Sequence, residues 1–202
     1  MSRTFIDITK NPKEVYKISE PGEHIFFMYN VSGNISFEIT KPNISVYVLG
    51  VNLGRGKDRY NLNTTQQHLA EGSQSNLFVK GVFNDASQFV YHGLIDIAKE
   101  AQNTDAIQTN RNLVLSKDAM VTSEPYLEIQ ADDVKCKHAS ATGKLNPEDL
   151  YYAMTRGISE KEATRLLVTG FIDEVFEKAA GLGYANEVAE YKKQAEYYVF
   201  GK

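Results

Sequence analysis

The sequence predicts a mainly β protein that ends in helices, and three observations carry that prediction. Short β-prone runs follow one another from Val15 onward, separated by Gly, Pro and Asn. Within them apolar and polar residues alternate, the two-residue period of a strand with one buried face. After Gly143 the period changes to the three-four spacing of amphipathic helices. The expected division is a β core over residues 1–143 and a helical segment over 144–202.

In chain order, the first runs are Val15–Ser19, His24–Val31, Ile35–Thr40 and Ile44–Val51. Their separators, Pro21-Gly22, Gly33-Asn34 and Pro42-Asn43, supply a fixed φ or tolerate a positive one. Ile35, Phe37 and Ile39 alternate with Ser36 and Glu38, so that run buries one side. The habit continues through Asp58–His68, Asn76–Phe83, Ser87–Ile97 and Asn112–Ser116, with no crossover helix before Pro147. The pattern alone leaves a sandwich, an antiparallel barrel and a β-solenoid open.

Asn146-Pro147-Glu148-Asp149 then supplies an N-cap, a first-turn proline and two acids at the positive end of a helix dipole. The spacing predicts helices over Pro147–Arg156, Glu160–Ala180 and Asn186–Val199, the second opened by a Ser159/Glu162 capping box.

Composition narrows the class. The 202 residues, 42% hydrophobic and 24% charged, are those of an ordinary globular chain. A net charge of −4 without a basic block argues against nucleic acid or an anionic membrane as partner. No apolar run reaches a secretory h-region or a membrane span, and the one cysteine suits a reducing compartment, so a cytoplasmic location is expected. Gly54-Arg55-Gly56-Lys57 lacks the strand–loop–helix setting of a phosphate-binding loop and reads as a turn. The scattered histidines have no matching nucleophile, so no enzymatic arrangement is expected.

The stretch Ala101–Gly143 holds the sharpest chemistry. Val134, Cys136 and His138 alternate with Lys135 and Lys137, which places the thiol and the imidazole on one side and the lysines on the other. Lysine prefers water, so Cys136 and His138 should face the interior or a protein partner. Asp132 and Asp133 are neighbours and would point oppositely on a strand, which suits a corner better than a convergent acid pair.

The words A-Q-N-T-D-A, R-N-L-V-L-S and P-Y-L-E-I-Q-A-D-D-V-K-C-K-H, followed by Leu150-Tyr151-Tyr152-Ala153-Met154-Thr155-Arg156-Gly157-Ile158, resemble the SufB/SufD proteins of the Suf iron–sulfur cluster assembly system. The likeness runs from about Thr65 to Phe176 and is closer to SufD. It implies a right-handed parallel β-helix followed by a C-terminal helical segment. It further implies a non-catalytic scaffold that docks a SufC-type ABC ATPase through its helices, with Leu150, Tyr151, Arg156, Gly157, Arg165 and Phe171 at matching positions. Cys136 and His138 correspond to positions associated with an intersubunit interface, where a transient iron–sulfur cluster or metal ion would be held with a SufB-like subunit or, in a homodimer, with a second copy.

The chain departs from SufB in having Ile129 where that group typically carries a cysteine, and in reading His138-Ala139-Ser140-Ala141 where His-Gly-Ala-Thr is usual. It also shows no counterpart of the helical region that precedes the core in many SufB/SufD proteins. The rival expectation, a β-helix enzyme acting on a sugar or acyl donor, would need convergent acids or a histidine base along one groove.

Overall fold

A computed structural model describes residues 2–200, so Met1 and residues 201–202 at the ends of the two expected segments lie outside the described residues. Eleven strands precede three helices: β1 (Ser2–Asp7), β2 (Val15–Ile18), β3 (Gly22–Tyr29), β4 (Gly33–Ile39), β5 (Ile44–Gly54), β6 (Arg59–His68), β7 (Gln74–Phe83), β8 (Gln88–Ile97), β9 (Thr104–Val114), β10 (Met120–Ile129), β11 (Val134–Gly143), α1 (Pro147–Thr155), α2 (Glu160–Gly181) and α3 (Ala185–Phe200). Odd-numbered strands form one sheet in the order β1-β3-β5-β7-β9-β11, and even-numbered strands form the other, β10-β8-β6-β4-β2. Each pairing is parallel. Successive coils therefore stack as a two-sided parallel β-solenoid, the fold that the resemblance implies. Residues stacked in neighbouring coils are 20 to 22 apart near the N-terminus and 29 to 32 apart later, so the solenoid widens along its axis.

The corners follow from residues that accept a left-handed backbone. Asn43, Gly72 and Asn103 have φ of 60°, 62° and 57°. They stack in one column, where the Asn43 amide donates to the Gly72 carbonyl and the Gly72 amide to that of Gln102. At the opposite corner the Gly56 amide donates to Asp85 at 2.8 Å and the Arg55 amide to Asp58 at 3.2 Å. The chain's own carboxylates thus occupy the amides of the Gly54–Lys57 turn.

The interior changes character along the axis. Early coils are filled by apolar and aromatic side chains, with the Phe26 and Phe37 rings 4.9 Å apart and Tyr16 stacked on Phe37. Later coils bury Thr64, Gln66, His68, Ser75, Gln108, Asn110 and Asn112. Part of this polar set is paired internally, with Gln66 Nε2 donating to Ser75 Oγ at 2.7 Å and Asn112 Nδ2 to Asn110 Oδ1 at 2.6 Å, while Gln108 Oε1 and Asn112 Oδ1 are buried without a partner. Gly93 makes room for this arrangement, since a Cβ there would lie 2.5 Å from the Gln108 amide.

Two segments differ from expectation. Ser2–Asp7 is a strand although no turn residue marks its start, and β9 begins at Thr104 rather than near Asn112. The inward face of β9 is built from amides, so its burial pattern is strict while its hydrophobic pattern is not.

The helices do not lie over the end of the solenoid. Phe27, Leu49, Val51, Phe78 and Val82 on the outer face of the odd sheet form one buried cluster with Val168, Ile172, Val175, Phe176, Val188 and Ala195 of α2 and α3. Lys80 sits beneath α2, where its ammonium donates to the Phe171 carbonyl at 2.7 Å, pairs with Glu174 and lies 4.0 Å from the Phe171 ring centre. Among the described residues, no helix is long and apolar enough to cross a membrane.

Two outcomes follow for stability. Phe176→Ala, which opens the sheet–helix cluster, should cost about 3–5 kcal/mol in urea unfolding. His68 is fully buried, with Nδ1 and Nε2 each 2.7 Å from a serine hydroxyl, and burial pushes its pKa from 6.5 down to about 4. The unfolded state therefore binds the extra proton first. Stability should be fully present above pH 6.5 and fall by about 3 kcal/mol as pH drops towards 4, a step that His68→Gln should remove from the pH profile of unfolding.

Candidate functional site

The last coil leaves the solenoid open. β10 pairs only with β8 and β11 only with β9, so each presents a free edge of backbone donors and acceptors. Register fixes which side chains enter the mouth. Cys136 stands beside Ala106 and His138 beside Gln108, both inward positions of β9, while Lys135 and Lys137 point outward. On β10 the inward row is Val121, Ser123, Pro125, Leu127 and Ile129. Ser140 Oγ donates to Ser123 Oγ at 2.8 Å across the core, and Ser123 Oγ donates to Asn110 Oδ1 at 2.8 Å.

Cys136 is half-buried against Ile95, Ile97, Ala101, Ala106 and Ala131, whereas His138 is exposed at the rim. Burial pushes the Cys136 thiol above its usual pKa, and the nearby Asp105 carboxylate adds to the effect. Asp132 and Asp133 lie at the corner between β10 and β11, where the Asp133 amide donates to Gln102 Oε1 at 2.9 Å. One thiol and one imidazole fall short of the four ligands a cluster requires. Among the described residues, no group of three or more His, Cys, Asp or Glu side chains is placed to hold a metal ion.

The rim residues that sequence reasoning passed over are apolar. Met120, Tyr126, Leu127 and Ile129 are 64%, 50%, 38% and 40% exposed. For Leu127 and Ile129 the alternation itself was the signal, since both occupy the inward row of a strand with no coil above it.

The helical positions form a second surface. Asn146 caps α1, and the Ser159/Glu162 capping box opens α2. Between the helices Gly157 has φ 84°, which lets the chain reverse tightly. Tyr151, Tyr152, Met154 and Leu166 are 71%, 60%, 45% and 59% exposed, a large apolar share for two adjoining helices. Arg156 and Arg165 are exposed on the same segment, and the Arg156 guanidinium donates to the Tyr152 hydroxyl at 2.8 Å and lies over its ring. Leu150 is half-buried. Phe171 turns the other way, packing with the sheet cluster around Lys80. Tyr151, Arg156, Gly157 and Arg165 are thus exposed on α1, the turn after it and the start of α2, whereas Phe171 packs with the sheet cluster and Cys136 and His138 belong to the mouth.

Comparison with known proteins agrees with this layout. The family described as "SUF system FeS cluster assembly, SufBD core domain" matches residues 28–171. The chain is 37% identical over 109 residues to the iron–sulfur cluster assembly protein SufD of Escherichia coli, which covers 54% of this chain and 26% of that protein. It is 36% identical over 123 residues to SufD of Bacillus subtilis, covering 61% of this chain and 28% of that protein. A SufBD family protein of Mycobacterium leprae is 35% identical over 158 residues, with 74% and 40% covered. The chain thus spans well under half the length of each of these relatives. Because the family match takes in most of the solenoid together with α1 and the first half of α2, the protein belongs to the SufBD family of iron–sulfur cluster assembly proteins.

Proposed function

We propose that the chain is a SufD-like, non-catalytic scaffold subunit of iron–sulfur cluster assembly in the cytoplasm, and that α1 with the start of α2 docks a SufC-type ABC ATPase. The observation that carries this reading is the exposure of Tyr151, Tyr152, Met154 and Leu166, together with exposed Arg156 and Arg165, within the stretch that matches the SufBD core. Such a surface suits insertion into a groove of a folded partner. Because α2 is clamped to the odd sheet through Phe176 and Lys80, force or motion delivered to that surface would pass directly into the solenoid wall.

In this reading the mouth is the second contact, made with a SufB-like subunit or with a second copy. Cys136 and His138 contribute at most a thiolate and an imidazole, both of which suit iron, and the remaining ligands of any transient cluster or metal ion come from the partner. Raising of the thiol pKa keeps Cys136 protonated until such a partner or metal arrives.

The docking surface is tested by co-purification with the ATPase. Arg156→Ala combined with Arg165→Ala should reduce recovery of the ATPase at least about tenfold, the scale of a binding hot spot, with circular dichroism unchanged. Undiminished recovery from a folded double variant would remove the docking role from these helices.

A further inference from the structure

The helical layer on the odd sheet stops short of its last two strands. The cluster beneath α2 and α3 takes its buried sheet residues from β3, β5 and β7, while β9 adds only the half-buried Leu113 and β11 adds none. The outward residues of β9 are Asp105, Ile107, Thr109 and Arg111, and the register sets Lys135, Lys137, Ala139 and Ala141 of β11 beside them.

Cations gather on this bare face. Arg111, Lys135 and Lys137 are exposed, and Lys178 of α2, also exposed, lies over the Phe78 ring at 4.7 Å. The carboxylate of Glu174 stands among them but is taken by the buried Lys80, which is the register neighbour of Arg111. Desolvation would raise the pKa of Glu174, yet Lys80, Lys178 and Arg111 together hold it below its usual range, so three cations crowd one carboxylate. Among the described residues, no carboxylate forms an ion pair with Arg111, Lys135, Lys137 or Lys178.

Helices packed side by side lie about 8–10 Å apart and strands about 4.8 Å apart, so each helix of a layer spans two strands. With α2 and α3 over β3 to β7, the next place in the layer is over β9 and β11. Thr109, Ala139 and Ala141 keep its floor low. Lys137 stands level with Ile107, and Arg111 lies four residues further along β9, which is about 13 Å. That spread exceeds a single oxyanion and is close to two turns of helix, about 11 Å.

We propose that the outer face of β9 and β11 seats an acidic helix of a partner protein. The helix lies alongside α2, with carboxylates two turns apart meeting Arg111 and Lys178 at one end and Lys137 at the other. A phosphate backbone or an anionic membrane is a poorer occupant. A broad negative surface over these cations also meets Asp105, beside Lys135 in the register, and the exposed Glu177, next to Lys178 in the chain. The seat uses none of the residues assigned above to ATPase docking or to the Cys-x-His row, so it stands or falls apart from them.

The test uses a labelled alanine-based helical peptide with glutamates two turns apart, read by fluorescence anisotropy on the full chain at low salt. Binding should saturate at one site per chain. Arg111→Gln with Lys178→Gln should weaken it at least about tenfold with circular dichroism unchanged. Lys13→Gln with Lys17→Gln, an equal change of charge at exposed positions near β2, should leave it within about twofold. Arg111→Gln alone, at an exposed strand position, carries the test should the double variant not fold. A proline-interrupted peptide should bind at least about fivefold more weakly. Equal binding of that peptide, equal loss in the Lys13/Lys17 variant, or no saturable binding at all would overturn the helix seat. Displacement by inorganic phosphate, at an ionic strength where chloride displaces little, would reduce the face to a simple oxyanion site. Binding to phosphatidylserine vesicles that the Arg111/Lys178 variant abolishes would make it a membrane face. Either result also overturns the proposal.

Discussion

Parallel strands satisfy their backbone groups only through a neighbouring coil, and the rest of this structure depends on that requirement. Each coil is held by the one before it and the one after it, so the fold has no internal place to stop. The flanks are managed by side chains: α2 and α3 cover the apolar outer face of the odd sheet, and a polar outer face is left on the even sheet. The last coil is managed by neither. Its edges remain available, and Cys136, His138 and the exposed Met120, Tyr126, Leu127 and Ile129 lie along them.

The wall and the exposed part of the helical segment are linked through α2. Lys80 is 3% exposed and is held by Glu174, by the Phe171 carbonyl and by the Phe171 ring, so the middle of the helix is fixed to β7. Burial lowers the pKa of the Lys80 ammonium, but the adjoining carboxylate compensates for its desolvation. The N-terminal turns of α2 carry the exposed Leu166.

Much of this was legible in the sequence. Turn residues marked most corners, and the capping signals at Asn146 and Ser159 marked two helix starts to within a residue. Alternation placed Cys136 and His138 on one side. It could not show that this side faces an open end, because exposure of an inward row depends on whether another coil follows. Strand direction was equally hidden, since a two-residue period is common to parallel and antiparallel sheets. The helical layer against the odd sheet also had a signal: β3, β5 and β7 contain continuous apolar runs such as Ile25–Met28, which mean burial on both faces and hence a layer outside the sheet. β9 escaped because amides fill its inward face.

The change from an aromatic to an amide interior also sets an order of events. Early coils bury Phe26 and Phe37 in an apolar interior, whereas the later coils combine Phe89, Tyr91, Ile95, Ile97 and Ala106 with hydrogen bonds among Gln66, Gln108, Asn110 and Asn112, which add little net free energy each. Folding is therefore expected to nucleate near β3–β7 and to zip toward β11, and amide hydrogen exchange should grow faster coil by coil in the same direction. The open end is then the end that melts first, so anything that paired with its edges would anneal the last coil rather than simply cover it.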